Sequence, residues 1–126
     1  VPDSVRAARG RRAQLRGVAS EAAACVALER DGWTVLARRL RTGAGEIDIV
    51  AERAGLVAFI EVKARPDLSG AASALLPRQR LRLLAAAEAA LAVNPGWGAQ
   101  GIRFDVLVVD AAGQVRRIAD AFRVER

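Results

Sequence analysis

Asp48, Glu61 and Lys63 are the residues of this chain best suited to chemistry. They sit in two stretches, Gly45-Glu46-Ile47-Asp48-Ile49-Val50-Ala51 and Ala58-Phe59-Ile60-Glu61-Val62-Lys63. Each stretch is otherwise apolar enough to lie at the centre of a sheet. A charge in such a place is costly unless it is paired or binds a metal. Three of them on adjacent strands imply either a salt-bridge cluster or a catalytic site. Phosphodiester hydrolysis with a divalent ion needs carboxylates to hold the ion and a cation beside the attacking water. Asp48, Glu61 and Lys63 supply both, and Glu21, on the helix expected before them, can complete the ion's shell.

The turn between the two stretches sets their geometry. Arg53-Ala54-Gly55-Leu56 reads as a hairpin connection. With Ala54 and Gly55 as the loop, Asp48 opposes Glu61 and Glu46 opposes Lys63. Glu61 and Lys63, two apart, share one face. Directly opposed Cβ atoms are roughly 4.5–5.5 Å apart, and two carboxylates that close repel unless a proton or cation lies between them. A three-residue loop with a bulge is the alternative. It shifts the register by one and sends Asp48 to the other face.

Composition narrows the chemistry. The 126 residues fit one domain, 52% of them are hydrophobic, and no apolar run approaches the roughly 18 residues of a membrane span. A soluble cytoplasmic protein without a signal peptide is expected. The single cysteine, Cys25, excludes an internal disulfide and fits a reducing compartment. There is no histidine, which removes Ser-His-Asp and Cys-His catalysis and histidine-bearing zinc sites. Carboxylates remain as metal ligands, and they favour hard ions such as Mg²⁺ or Mn²⁺. The net charge of +6 favours a polyanionic partner, nucleic acid foremost, the alternative being that an arginine- and alanine-rich composition reflects coding bias. Of the 20 basic residues, every one but Lys63 is arginine.

The remaining elements must position these residues. Residues 1–11 read as a basic arm and residues 12–31 as a helix ending before Gly32. On that helix Val18, Cys25 and Leu28 form an apolar stripe that also carries Glu21. Such an acid either needs a partner or sits at the stripe's edge. A strand over residues 33–40 follows, closed by Arg38, Arg39 and Arg41 and by a flexible loop, Thr42 to Gly45. The arginine run is either a solvated face or a phosphate contact. Residues 65–76 form a loop carrying Arg65. Pro77 starts a second helix running to about Val93, with Arg78, Gln79, Arg80 and Arg82 in its first turns and Leu84, Glu88 and Leu91 along a later face. Gln79 is placed to reach a phosphate or a water. A strand over residues 102–109 carries Arg103 and Asp105 as a local ion pair. Gln114 to Ala119 reads as an edge strand and residues 120–126 as a short charged tail. The pattern is a single α/β domain over residues 1–126, a mixed central β-sheet flanked by helices.

Asp48 followed by Glu61-Val62-Lys63 across a hairpin resembles the PD-(D/E)xK core of the restriction-endonuclease-like nucleases. The ordered set Gly45-Glu46-Ile47-Asp48, Phe59-Ile60-Glu61-Val62-Lys63-Ala64-Arg65, Arg78-Gln79-Arg80 and Arg103-Phe104-Asp105-Val106 resembles the YraN family (UPF0102) over about residues 10–123. These are small bacterial proteins regarded as endonucleases similar to archaeal Holliday-junction resolvases. The resemblance implies a restriction-endonuclease-like fold. It makes Asp48, Glu61 and Glu21 the metal ligands, Lys63 the catalytic lysine and Gln79 the polar residue of the following helix. One departure is that Ile47, not proline, precedes Asp48.

The expected activity is Mg²⁺- or Mn²⁺-dependent hydrolysis of DNA, on branched or recombination intermediates by analogy. Arg38, Arg39, Arg41, Arg65, Arg78, Arg80 and Arg82 would contact nucleic acid, and a homodimer is implied by the resolvase analogy alone. The competing reading is a nucleic-acid-binding or assembly module on a nuclease fold, without turnover. A purely structural salt-bridge cluster is the third.

Overall fold

The structure, a computed structural model, describes residues 17–68 and 76–122. The arm over residues 1–11, the first residues of the expected first helix, most of the loop before Pro77 and the last residues of the tail lie outside the described residues. A helix α1 (residues 17–30) leads into β1 (Thr34–Thr42), β2 (Gly45–Arg53) and β3 (Leu56–Ala64). Helix α2 (Pro77–Val93), β4 (Ile102–Val109) and β5 (Val115–Phe122) complete the order. The five strands form one mixed sheet in chain order, antiparallel except for β3 and β4, which pair in parallel across the α2 crossover. This is the expected α/β architecture, and it is consistent with a restriction-endonuclease-like fold.

Each helix covers one face of the sheet. Ala24, Cys25 and Leu28 of α1 pack with Trp33 against Ile49, Ala51, Ala58, Ile60, Leu107 and Val109. Leu83, Ala86, Ala87 and Ala90 of α2 pack against Ile47, Val50, Val57, Phe59 and Phe104. The alanines let α2 lie close on the sheet, and Phe59 stacks on Phe104 at 5.9 Å. The α1 stripe differs from expectation at Val18, which is exposed. Helix α2 buries Leu83 and its alanines, as the alanines suggest, with Leu84 and Leu91 partly buried beside them and Glu88 exposed. Burial also raises the Cys25 thiol above its usual range, the mark of a core residue. Among the described residues no helix is long and apolar enough to cross a membrane.

The strand ends also move. β1 runs on through Arg41 to Thr42, so the expected flexible loop is a tight turn. The Thr42 hydroxyl donates to the Gly45 carbonyl at 2.7 Å and accepts the Ala44 N–H at 3.1 Å. β5 extends past Ala119 to Phe122, because a register shift beside Asp105 lets it stay paired as far as Phe104. Two strands from β2, Asp105 is fully buried and takes Arg103 at 2.9 Å and Arg117 at 2.6 Å. Both guanidinium groups, with that of Arg53, lie within 5 Å of the Trp33 ring. The expected Arg103–Asp105 pair is therefore part of a larger buried network.

Candidate active site

The hairpin that carries the site has the two-residue loop. Ala54 and Gly55 both have positive φ, 53° and 81°, as a primed turn requires. The β2–β3 ladder runs from Arg53–Leu56 to Ile49–Ile60. Beyond that point the Val62 N–H donates to the Asp48 carboxylate at 2.8 Å. A side chain thus takes a donor that faces the neighbouring strand, and the two strands part around it.

Asp48 does not share the face of Glu61 and Lys63. Ile49 packs under α1, whereas Ile47, two residues away, packs under α2. Regular strand alternation would put both on one face, so the face changes within Ile47-Asp48-Ile49. The neighbouring strand changes in step. Arg39 has φ 50°, a left-handed conformation uncommon for a residue with a side chain. As a result Arg38 and Arg39, though adjacent, both reach Glu21 on α1, at 3.3 and 3.2 Å. The loop length expected for Asp48–Glu61 opposition is correct, but this paired distortion turns Asp48 to the α1 side.

Asp48 there lines a cleft of about 330 Å³ with Glu21, Glu46, Arg39, Arg41, Ser20 and Val62. Glu46 meets Arg41 at 3.6 Å and not Lys63, which lies on the opposite face. Glu21 is 6% exposed, so the helical acid is on the packed side and has partners. On the α2 side Glu61, equally buried, receives Lys63 at 3.2 Å and Arg82 at 3.5 Å on one oxygen. Gly45 makes room for Arg82. A Cβ at its φ of 143° would stand 3.2 Å from the arginine stem.

The two sides communicate by charge. Burial first, then the Glu61 charge, push the Asp48 carboxyl up from 3.8 to about 6; Glu21 adds to this, while the Val62 N–H and Lys63 pull it down. Lys63 offsets the effect of burial only in part. The donor chemistry, carboxylates without histidine or thiolate, suits a hard divalent ion. Among the described residues, however, no three acids converge closely enough to cage one. Asp48 and Glu61 act on each other across the parted strands, and Glu21 is held by its arginines.

The other expected site residues divide clearly. Gln79 accepts the Leu76 N–H at 2.8 Å and so caps the first turn of α2. Arg41 is almost fully exposed, and Arg65, Arg78 and Arg80 are exposed as well. Arg38, Arg39 and Arg82 are half-exposed, with their heads on buried acids. Sequence reasoning missed Ser20, the strand parting at Val62 and the reach of Arg82 to Glu61. Nothing in the sequence signalled the last, since the approach of Arg82 to Gly45 exists only in the fold.

The family model described as uncharacterised protein family UPF0102 matches residues 20–109, which include Glu21, Asp48, Glu61 and Lys63. The chain is 62% identical over 117 residues to a UPF0102 protein of Granulibacter bethesdensis, covering 93% of this chain and 74% of the relative. It is 46% identical over 106 residues to one of Rhodopseudomonas palustris, covering 84% and 82%. It is 48% identical over 121 residues to one of Acidiphilium cryptum, covering 95% and 93%.

Proposed function

The chain belongs to the UPF0102 family, and on that premise we propose that it is a Mg²⁺- or Mn²⁺-dependent endonuclease hydrolysing DNA phosphodiester bonds. The observation that carries this reading is Asp48. Its carboxyl accepts the Val62 N–H where β2 and β3 part and is raised to about 6, by burial first and then by the Glu61 charge. Asp48 and Glu61 would hold the ion, with Glu21 as a third donor once free of its arginines. A divalent ion in such a place polarises the phosphate and lowers the pKa of a bound water. Lys63, held against Glu61 and only 16% exposed at its side chain, would hold or pass a proton beside that water, as a compact ammonium can and a guanidinium cannot. The exposed Arg41, Arg65, Arg78 and Arg80 would take the flanking phosphates, which position the strand without reading its sequence. Branched DNA is the preferred form under this reading, and a homodimer would place two such sites on one junction.

A binding or assembly module without turnover is the second reading. It is favoured by one observation: Glu21 and Glu61 are each already neutralised by basic side chains. A cleavage assay over linear, single-stranded, flapped and four-way DNA, with Mg²⁺, Mn²⁺ or EDTA, separates the two. Metal-dependent cleavage supports the enzyme. Salt-sensitive binding to every form with cleavage of none supports the module.

A further inference from the structure

We propose that Arg38 and Arg39 are exchangeable counter-ions, held by Glu21 in the free protein and transferred to backbone phosphates when nucleic acid binds. The inference rests on the nucleic-acid-binding part of the proposed function and adds a coupling to it.

Glu21 is buried, with 8% of its side chain exposed, whereas Arg38 and Arg39 are surface residues with 45% and 47%. Their heads therefore reach inward from the surface to the acid. Each uses only its Nε, at 3.3 and 3.2 Å, longer than the roughly 2.7–2.9 Å of a strong charge-assisted bond. Among the described residues neither guanidinium makes a further hydrogen bond. The paired Nη groups, which form the fork that matches a phosphate, are thus uncommitted. Arg39 lines the cleft that holds Asp48, and Arg38 reaches Glu21 in its wall.

Moving both cations from Glu21 to phosphate leaves a buried, unpaired carboxylate, which is costly. That cost weakens nucleic-acid binding in the absence of another cation. It also sets free an acid in the cleft that Asp48 lines. A divalent ion entering the cleft would compensate both. Phosphate binding and cation binding then favour each other, and by linkage each strengthens the other by the same factor. In the free protein the arginines and the ion compete for Glu21.

The sign of the coupling is testable without any turnover. Affinity for a 20-base-pair DNA duplex is measured in EDTA for the wild type, Glu21→Gln, Arg38→Gln/Arg39→Gln and the triple variant, with melting temperatures recorded. Neutralising Glu21 frees the arginines, so Glu21→Gln should bind about threefold to tenfold tighter, and this gain should vanish in the Arg38→Gln/Arg39→Gln background. An equal gain in both backgrounds overturns the exchange and leaves only general charge. No gain, or a loss, in folded Glu21→Gln overturns it too. In a parallel titration with Mn²⁺ alone, Arg38→Gln/Arg39→Gln should bind the ion more tightly than wild type; unchanged or weaker binding overturns the competition. Because every readout is an affinity, a protein that cleaves no DNA can still show the exchange, and an active nuclease can still lack it.

Discussion

Arg39 and Asp48 face each other across β1 and β2, between the paired couples Arg38–Ile49 and Leu40–Ile47, and both turn toward α1. The change of face on one strand is matched by the change on the other. Arg39 accommodates it with a left-handed backbone. The result is that Asp48 leaves the α2 side, where Glu61 and Lys63 stay, and takes its place between them and Glu21. The acids are thereby spread over two faces of one sheet, joined where the strands part.

Arg39 should therefore respond to substitution in an unusual order. Arg39→Gly relieves the strain of a positive φ but removes one partner of Glu21. Arg39→Val removes the same partner and adds a β-branched side chain where φ is 50°. The valine variant should be less stable than the glycine variant by roughly 1–3 kcal/mol, measured by urea unfolding at pH 7. On an ordinary strand residue valine would be the more stable of the two.

Asp48 makes the metal-free protein less stable as pH rises. Its folded pKa of about 6 lies above its ordinary 3.8. Between those values the folded protein keeps a proton that the unfolded chain has released, so stability falls through this window and the loss is complete above it. The loss is on the order of 3 kcal/mol. Asp48→Asn retains an oxygen for the Val62 N–H and cannot ionise. In EDTA at pH 8 it should be more stable than wild type by about 1–3 kcal/mol, with a flatter pH profile between pH 4 and 6. A less stable Asp48→Asn at pH 8 would contradict this.

The Asp105 network should behave as pure scaffold. Asp105→Ala leaves Arg103 and Arg117 as partly buried cations without their carboxylate and should cost about 2–4 kcal/mol. Since it lies two strands from Asp48 and does not line the Asp48 cleft, DNA affinity of the folded fraction should stay within about twofold of wild type, a difference below roughly 0.5 kcal/mol. Thermal melts and binding on one preparation test both parts.

Much of this arrangement was legible in the residues. Ala54-Gly55 marked the turn and so the register, the apolar runs marked the central strands, and Arg103 two before Asp105 marked a pair on one face. What could not be read depends on contacts between elements. Nothing in an arginine signals a positive φ, so the reversal at Arg39 and the face of Asp48 were hidden. Arg117 reaches Asp105 from another strand. The buried stripe of α2 is mostly alanine, which packs because the sheet is close and not because alanine is strongly apolar. Gln79 could be placed on the first turn, but its capping bond depends on the backbone of Leu76.

Lys63 offers the most direct test of the enzymatic reading. The amine sits 3.2 Å from Glu61 in a chain that uses arginine for every other cation. Single-turnover cleavage of four-way and flapped DNA should be measured with Mg²⁺ or Mn²⁺ and in EDTA, for wild type and Lys63→Arg, with melting temperature and DNA affinity determined on the same preparations. The expected result is metal-dependent cleavage by wild type and a Lys63→Arg protein that melts and binds DNA much as wild type does but cleaves about a hundredfold more slowly or worse, the scale of a lost proton-transfer group. Wild-type cleavage by a folded Lys63→Arg protein, or no cleavage of either DNA form by wild type with either metal, would contradict it.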